Sequence, residues 1–238
     1  MFKIAPPIAL LSLCLVSAAF PALAKAGKRP VVVELFTSQG CGACTKANAL
    51  VADLADRKDV LALTFPVDYW DYLGWRDTFA KPEFSARQRL YMAAAGQHEV
   101  YTPQVVIDGA AQADKSPAEN ALALISAAAK AHAPAPAMRV VRGRLTIAAG
   151  SPPAGGAEVW LVRYQTQPRE TPVKAGENRG VTVVYRNVAT ELDRLGAWSG
   201  RARTYALPEA DPKPDDTAKA AVILQAKVSG KILGVLKP

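Results

Sequence analysis

Gln39-Gly40-Cys41-Gly42-Ala43-Cys44 joins two runs of different periodicity. Before it, Val31-Val32-Val33-Glu34-Leu35-Phe36 is rich in β-branched and aromatic residues and predicts a buried strand. After it, Ala47, Leu50, Val51 and Leu54 recur at helical spacing, with Lys46, Asn48, Asp53 and Asp56 on the other side. The two cysteines therefore sit on a turn that opens a helix. The first turn of a helix has unpaired N–H groups and the positive end of the dipole. Both favour the thiolate, which is the reactive form of cysteine. Cys41, at the start, gains most, and Cys44, one turn on, can reach its sulfur and close a disulfide. Gly42 and Ala43 leave the pair uncrowded. A Cys-x-x-Cys alone also serves metals, whereas strand, Cys-x-x-Cys and helix together point to dithiol chemistry. A purely structural role is the weaker alternative, because closing so short a loop stabilises little on the loop-entropy argument.

The 238 residues can hold one large domain or two small ones, and half are hydrophobic. The first two dozen differ in kind. Lys3 gives a positive start, an apolar stretch runs from Ile8 to Phe20, and Ala22-Leu23-Ala24 has the small-x-small cleavage pattern. Residues 1–24 are expected to be a secretory signal peptide, cleaved after Ala24 and excluded from the fold, with the mature protein periplasmic or secreted. The apolar run is short for a membrane anchor, and Leu13 is bulky for the residue before a lipidated cysteine at position 14. Cleavage removes Cys14 and leaves Cys41 and Cys44 as the cysteines of the mature chain. One close pair in an oxidising compartment suits a disulfide that forms and breaks rather than a stapled scaffold. No later stretch is long and apolar enough to predict a membrane span.

Val60-Leu61-Ala62-Leu63-Thr64-Phe65 predicts a second strand, parallel to the first and joined through the cysteine helix. The cysteines then lie at the carboxyl end of the first strand, where open α/β sheets place their sites. Asp68-Tyr69-Trp70-Asp71-Tyr72-Leu73-Gly74-Trp75-Arg76-Asp77 packs four aromatics and three acids into ten residues and leads into a helix near Phe84 to Ala95. These aromatics read as part core, part exposed wall beside the cysteines, since Tyr and Trp combine an apolar body with a polar tip. In Val100-Tyr101-Thr102-Pro103-Gln104-Val105-Val106-Ile107-Asp108-Gly109, a proline opens a buried-looking strand, the place a strand tolerates it. X-Pro is the bond type that tolerates cis. A cis Thr102–Pro103 bond would leave the Thr102 backbone free to pair with an extended substrate. Asp108-Gly109 predicts a hairpin turn. Ser116-Pro117-Ala118-Glu119 reads as a capping box opening a last helix.

Taken together, residues 31–132 resemble the thioredoxin fold with a helical insertion. The finer patterns Glu34-Leu35-Phe36-Thr37-Ser38-Gln39-Gly40-Cys41, Tyr69-Trp70-Asp71-Tyr72-Leu73-Gly74-Trp75 and Tyr101-Thr102-Pro103-Gln104 are similar to secreted bacterial proteins of domain-of-unknown-function family 1223. That likeness extends to Leu195-Gly196-Ala197-Trp198. It implies a thioredoxin-like fold and redox chemistry, with no assigned reaction. Thioredoxins carry a tryptophan before the first cysteine and Gly-Pro between the two. Here Gly40 and Gly42-Ala43 stand instead, and a more open site is expected. Thioredoxins also bury an acid beneath the second cysteine. Glu34 is the matching candidate, one residue further from Cys41 than the pattern asks. On this reading Cys41 is the nucleophile, Cys44 resolves, Glu34 relays a proton and Pro103 shapes the substrate groove. Thr102, Gly40, Trp70 and Tyr72 are the candidate substrate-binding residues.

Ala133-Pro134-Ala135-Pro136-Ala137 reads as a stiff linker between a domain at 25–132 and a β-rich one at 138–238. Strands are predicted at Met138–Val141, Leu145–Ala148, Val159–Tyr164, Val181–Tyr185, Ala221–Lys227 and Lys231–Leu236, with Ser229-Gly230 closing a hairpin. They form a small antiparallel sheet or sandwich, packed on the first domain or extending its sheet. Residues 25–136 hold 12 basic and 12 acidic residues, and residues 137–238 hold 16 and 9, so the positive excess lies in the second half. An anionic partner is one reading and a solvated basic face the plainer one. Expected partners are protein or small-molecule thiols and disulfides, with a redox partner protein as a further candidate. Nucleic acid is not expected, nor is any cofactor. Two rivals stand. One is a soft-metal protein holding Cu(I) on Cys41 and Cys44, for which His98, close before Pro103, is the candidate third ligand. The other is a binding module whose disulfide takes no part.

Overall fold

A computed structural model describes residues 29–113, 117–210 and 216–237. The signal-peptide expectation, Cys14 and Ser116 of the capping box lie outside the described residues. In chain order the elements are β1 (Val31–Thr37), α1 (Thr45–Leu54), β2 (Val60–Pro66), α2 (Pro82–Ala94), β3 (Gln104–Ile107), β4 (Ala111–Ala113) and α3 (Pro117–Lys130). The second half adds β5 (Met138–Val141), β6 (Arg144–Ile147), β7 (Ala157–Gln165), β8 (Arg169–Pro172), β9 (Thr182–Tyr185), β10 (Val188–Trp198), β11 (Arg203–Ala206), β12 (Ala218–Ala226) and β13 (Ile232–Leu236). Single 3-10 turns at Gly42–Cys44 and Asp71–Leu73 precede α1 and α2.

The molecule is a mixed α/β structure built on one eight-stranded sheet of order β13-β12-β7-β10-β2-β1-β3-β4. β1 lies inside it, parallel to β2 and antiparallel to β3. A strand covered on both faces reads as a continuous apolar run, which is why 31–36 shows no alternation. Of the two arrangements the sequence allowed for the second half, the chain takes the sheet-extending one. β10 docks parallel to β2 at Val188 and Thr64. Side chains complete the join: the Thr64 hydroxyl donates to the Arg186 carbonyl at 2.8 Å, and Asn187 Nδ2 donates to the Ala62 carbonyl at 2.8 Å. Asn187 has φ +47°, a conformation asparagine tolerates better than most residues.

Alternation along the strands divides the core. One face of the sheet, with Val32, Phe36, Leu61, Phe65, Val106, Val162, Ala221 and Ile223, runs through both halves of the chain and is covered by α2 through Phe84 and Tyr91. On the other face, α1 and α3 cover Val31, Val33, Leu35, Ala62 and Ile107. The separate sheet β11-β6-β5 packs Leu145, Ile147 and Tyr205 against Val159, Leu161, Val222 and Leu224. β8 and β9 form a two-stranded arm of their own, whose Val173, Val183 and Tyr185 pack on Trp75 and Phe79. The Asp108-Gly109 turn joins β3 to β4 with both residues at positive φ, as a tight hairpin requires.

Candidate functional site

The cysteines lie where β1 gives way to α1. The Cys41 N–H donates to the Ser38 carbonyl at 3.2 Å, and the Cys44 N–H to the Cys41 carbonyl at 3.2 Å, winding the turn that brings their Cα atoms to 5.5 Å. They form a disulfide. Cys41 is extended and Cys44 already helical. Both are completely buried, which overturns the expectation of an open site. Gly40 and Gly42 admit a distant segment instead of exposing the sulfurs. Asn178, on the loop between β8 and β9, donates from Nδ2 to the Gln39 carbonyl at 2.9 Å and the Cys41 carbonyl at 2.8 Å. The neighbouring Glu177 Oε2 accepts the Gly42 N–H at 2.9 Å. Gly176 lies against Gly40, and the Trp70 side chain also lies close to that glycine.

A buried polar cluster supports the turn. The Asp77 carboxylate accepts the Gln39 N–H at 2.8 Å, the Tyr185 hydroxyl at 2.8 Å and the Phe79 N–H at 2.9 Å. Burial pushes the Asp77 carboxyl above its ordinary value, and these three donors draw it part of the way back. The Gln39 side chain accepts from Trp75 Nε1 at 2.9 Å and donates to the Thr78 and Thr171 hydroxyls at 3.0 and 3.2 Å. The Thr37 hydroxyl donates to Asn48 Oδ1 at 2.9 Å, linking the end of β1 to α1. The arm, the aromatic segment and the cysteine turn are thus one hydrogen-bonded unit. Sequence reasoning missed Asp77, Tyr185, Glu177 and Asn178. The last two stand more than 130 residues from Cys41, and a loop polar residue carries no local mark of its partner.

Glu34 is fully buried, but not beneath Cys44. It faces α2, where Arg87 Nε donates to Oε1 at 2.6 Å, Arg87 Nη2 to Oε2 at 3.2 Å, and the Tyr91 hydroxyl to Oε2. The extra residue between Glu34 and Cys41 is the cause: a one-residue offset in a strand turns a side chain to the other face. α1 and the cysteines lie across the sheet from it, so the relay expected of Glu34 has no path in this arrangement. Thr102–Pro103 is cis. Gln104 pairs with Phe36, so Pro103 falls beside the end of β1 that leads to the cysteines. Among the described residues the Thr102 backbone N–H and C=O have no hydrogen-bond partner, and its hydroxyl is buried and unpaired. Tyr72 is 83 % exposed while Trp70 is half-buried, so the aromatics divide between wall and core. His98 is exposed on the loop before β3, and His132 Nε2 lies 2.7 Å from Asp108, itself paired with Arg29. Among the described residues no three His, Cys, Asp or Glu side chains are grouped to hold a metal.

Fold and site define a mixed α/β protein with a buried Cys-x-x-Cys disulfide at the mouth of a helix. The chain belongs to the family described as protein of unknown function DUF1223, which it matches over residues 32–225. No curated protein matches it. Among solved structures it is similar to protein AGR_C_4864 from Agrobacterium tumefaciens, at 28% identity and TM-score 0.67, over 89% of this chain and 95% of that one. It is also similar to HBP35 of Porphyromonas gingivalis, at 12% identity and TM-score 0.56, over 90% of this chain and 76% of that one, a likeness of fold alone.

Proposed function

We propose that this protein is an exported thiol–disulfide oxidoreductase whose first half is thioredoxin-like with a helical insertion. The observation that carries the reading is the Cys41–Cys44 disulfide at the start of α1, at the carboxyl end of β1. Pro103 beside that strand end supports it, with a Thr102 backbone that has no partner among the described residues and suits an extended substrate. In the reducing direction the Cys41 thiolate attacks one sulfur of a substrate disulfide. The substrate S–S bond breaks, and its second sulfur leaves as a thiolate with the bonding pair. The Cys44 thiolate then attacks Cys41 Sγ, closes the intramolecular disulfide and expels the first substrate sulfur. Two electrons pass to the substrate, and two protons follow. Reversed, the oxidised pair oxidises two substrate thiols. The positive end of the α1 dipole favours the Cys41 thiolate as attacking and leaving group. Pro103, Thr102, Gly40, Trp70 and Tyr72 would border the bound substrate chain.

Direction follows from potential. Equilibrating the metal-free protein with glutathione buffers should give a poise between roughly −120 and −270 mV, the upper end marking an oxidant or isomerase and the lower end a reductant needing an electron donor. A pair still oxidised well below about −300 mV would make the bond structural and remove the reading. Cys41→Ser is expected to abolish exchange, and Cys44→Ser to accumulate the mixed disulfide with substrate, detected by mass.

A further inference from the structure

Exchange needs a sulfur that a second sulfur can reach, and in this structure neither cysteine is accessible. Asp77 accepts the Gln39 N–H, and the loop between β8 and β9 makes three further polar contacts to the peptide groups around Cys41. Asn178 binds the carbonyls of Gln39 and Cys41, and Glu177 holds the N–H of Gly42. The loop is self-contained. Its ends are tied by Val173 N–H to the Val181 carbonyl and Gly180 N–H to the Val173 carbonyl, each 2.9 Å, and Val181 N–H donates to the Asn178 carbonyl at 2.9 Å. Gly176 and Gly180 take positive φ within it. It sits on the two-stranded arm, which shares no ladder with the eight-stranded sheet. It can therefore leave the cysteines without opening the main sheet.

We propose that residues 174–180 are a gate over the Cys41–Cys44 disulfide, held shut by Asn178 and Glu177, and that the gate opens before each exchange step. This rests on the exchange reading and adds its regulation. Asn178 and Glu177 are positioning residues: they act by holding the turn, and substrate reaches sulfur only when they release it.

The test is the rate at which dithiothreitol reduces the oxidised full-length protein. One dithiothreitol thiolate attacks a cysteine sulfur, the S–S bond breaks and the other cysteine leaves as thiolate. The second dithiothreitol thiol then closes its own ring and frees the first cysteine. Free thiols are trapped with a maleimide and counted by mass. Losing a hydrogen bond to a charged acceptor, or a pair of neutral ones, should raise the rate of Glu177→Ala and of Asn178→Ala about tenfold. Glu177→Gln keeps an acceptor oxygen without its charge and should fall between, about threefold above the parent. Because a gate slows both directions alike, reoxidation by glutathione disulfide should quicken by the same factor, leaving the equilibrium unmoved. Rates within about twofold in both alanine variants, or faster reduction without faster reoxidation, overturn the gate. Glu177 is exposed, so its alanine variant decides even where Asn178→Ala does not fold. The two ideas fail separately. A potential far below the glutathione range removes the exchange reading and leaves these rates as they are, whereas unchanged rates remove the gate whatever the potential.

Discussion

Two buried carboxylates show how differently one residue type can be held. Glu34 is paired with Arg87, whose guanidinium also lies over the rings of Phe65, Tyr91 and Trp160 and donates to Gln225 at 3.3 Å. Burial alone would lower the Arg87 guanidinium, yet Glu34 and Tyr91 outweigh it and hold it above its ordinary value. Removing one partner strands the other charge. Arg87→Met is therefore expected to cost about 3–5 kcal/mol in urea unfolding, and Glu34→Leu combined with Arg87→Met distinctly less. Among the described residues Asp77 meets no cation, only three donors, and its carboxyl is raised by burial. The folded protein then binds a proton that the unfolded chain has already released. Its contribution is fully present below the unfolded carboxyl range, near pH ~4, and is lost as pH rises through the raised folded value. Asp77→Asn should flatten that slope in unfolding measured from pH 4 upward. It should also cost about 1–3 kcal/mol, because an amide NH2 must face an N–H or O–H donor. The cysteine pair was legible in the sequence because its chemistry is local: six residues contain both sulfurs, the turn and the helix start. Glu34 was legible as buried but not in direction, since a uniformly apolar strand hides which face each residue takes. Asp77 was hidden among three acids in one aromatic segment, with nothing local to mark the buried one.

Elements with a clean period were read well. β1, α1, β2, the Thr102-Pro103 strand and the two hairpins appear close to where the sequence puts them. β8, β10 and β11 were not foreseen. β10 is the longest strand and the one that joins the halves, yet Glu191, Asp193 and Arg194 interrupt its apolar pattern. The structure gives the reason: the pairing with β7 shifts register between Ala189 and Glu191 and again between Arg194 and Gly196. Each irregularity resets the two-residue alternation on which strand reading depends. The hairpins meet in a way no local pattern announces. The Ile232 N–H donates to the Asp108 carbonyl at 2.9 Å, and a Cβ placed on Gly109 would lie 2.0 Å from the Gly230 carbonyl oxygen. Gly109 also has φ +71°. Gly109→Ala is therefore expected to destabilise by at least about 2 kcal/mol, from the positive φ and the clash together, read as a lower urea midpoint. Gly74, also at positive φ but with nothing near its Cβ position, bears the first of these costs without the second. Its alanine variant should lose about 1 kcal/mol.

At the scale of the molecule, the proline-rich linker at 133–137 separates sequence patterns more sharply than it separates structure. The face under α2 draws Val32, Phe36, Leu61 and Phe65 from before the linker and Val162, Tyr164, Ala221 and Ile223 from after it. Arg87 reaches from Glu34 on β1 to Gln225 on β12, and Arg29 binds both Asp108 and the Ile232 carbonyl. The second half also supplies the residues that clamp the cysteine turn. A fragment ending at Pro136 would keep the strand, helix and both sulfurs. It would lose β10 from the edge of β2, half of the core face, the Gln225 partner of a buried guanidinium, and the Tyr185 hydroxyl on Asp77. Uncovering several large side chains costs about 1.5–3 kcal/mol for each that becomes exposed, which soon exceeds the total stability of a domain of this size. Residues 25–136 alone are thus expected to give a collapsed chain without fixed side-chain packing, seen as poor dispersion in amide NMR spectra and a broad, non-cooperative urea transition. Adding residues 137–238 as a separate chain should restore dispersion if the halves pair as they do in the intact molecule. A cooperative, well-dispersed fragment would mean that β2 and α2 can satisfy that face without their partners, and that the shared core joins two units able to fold apart.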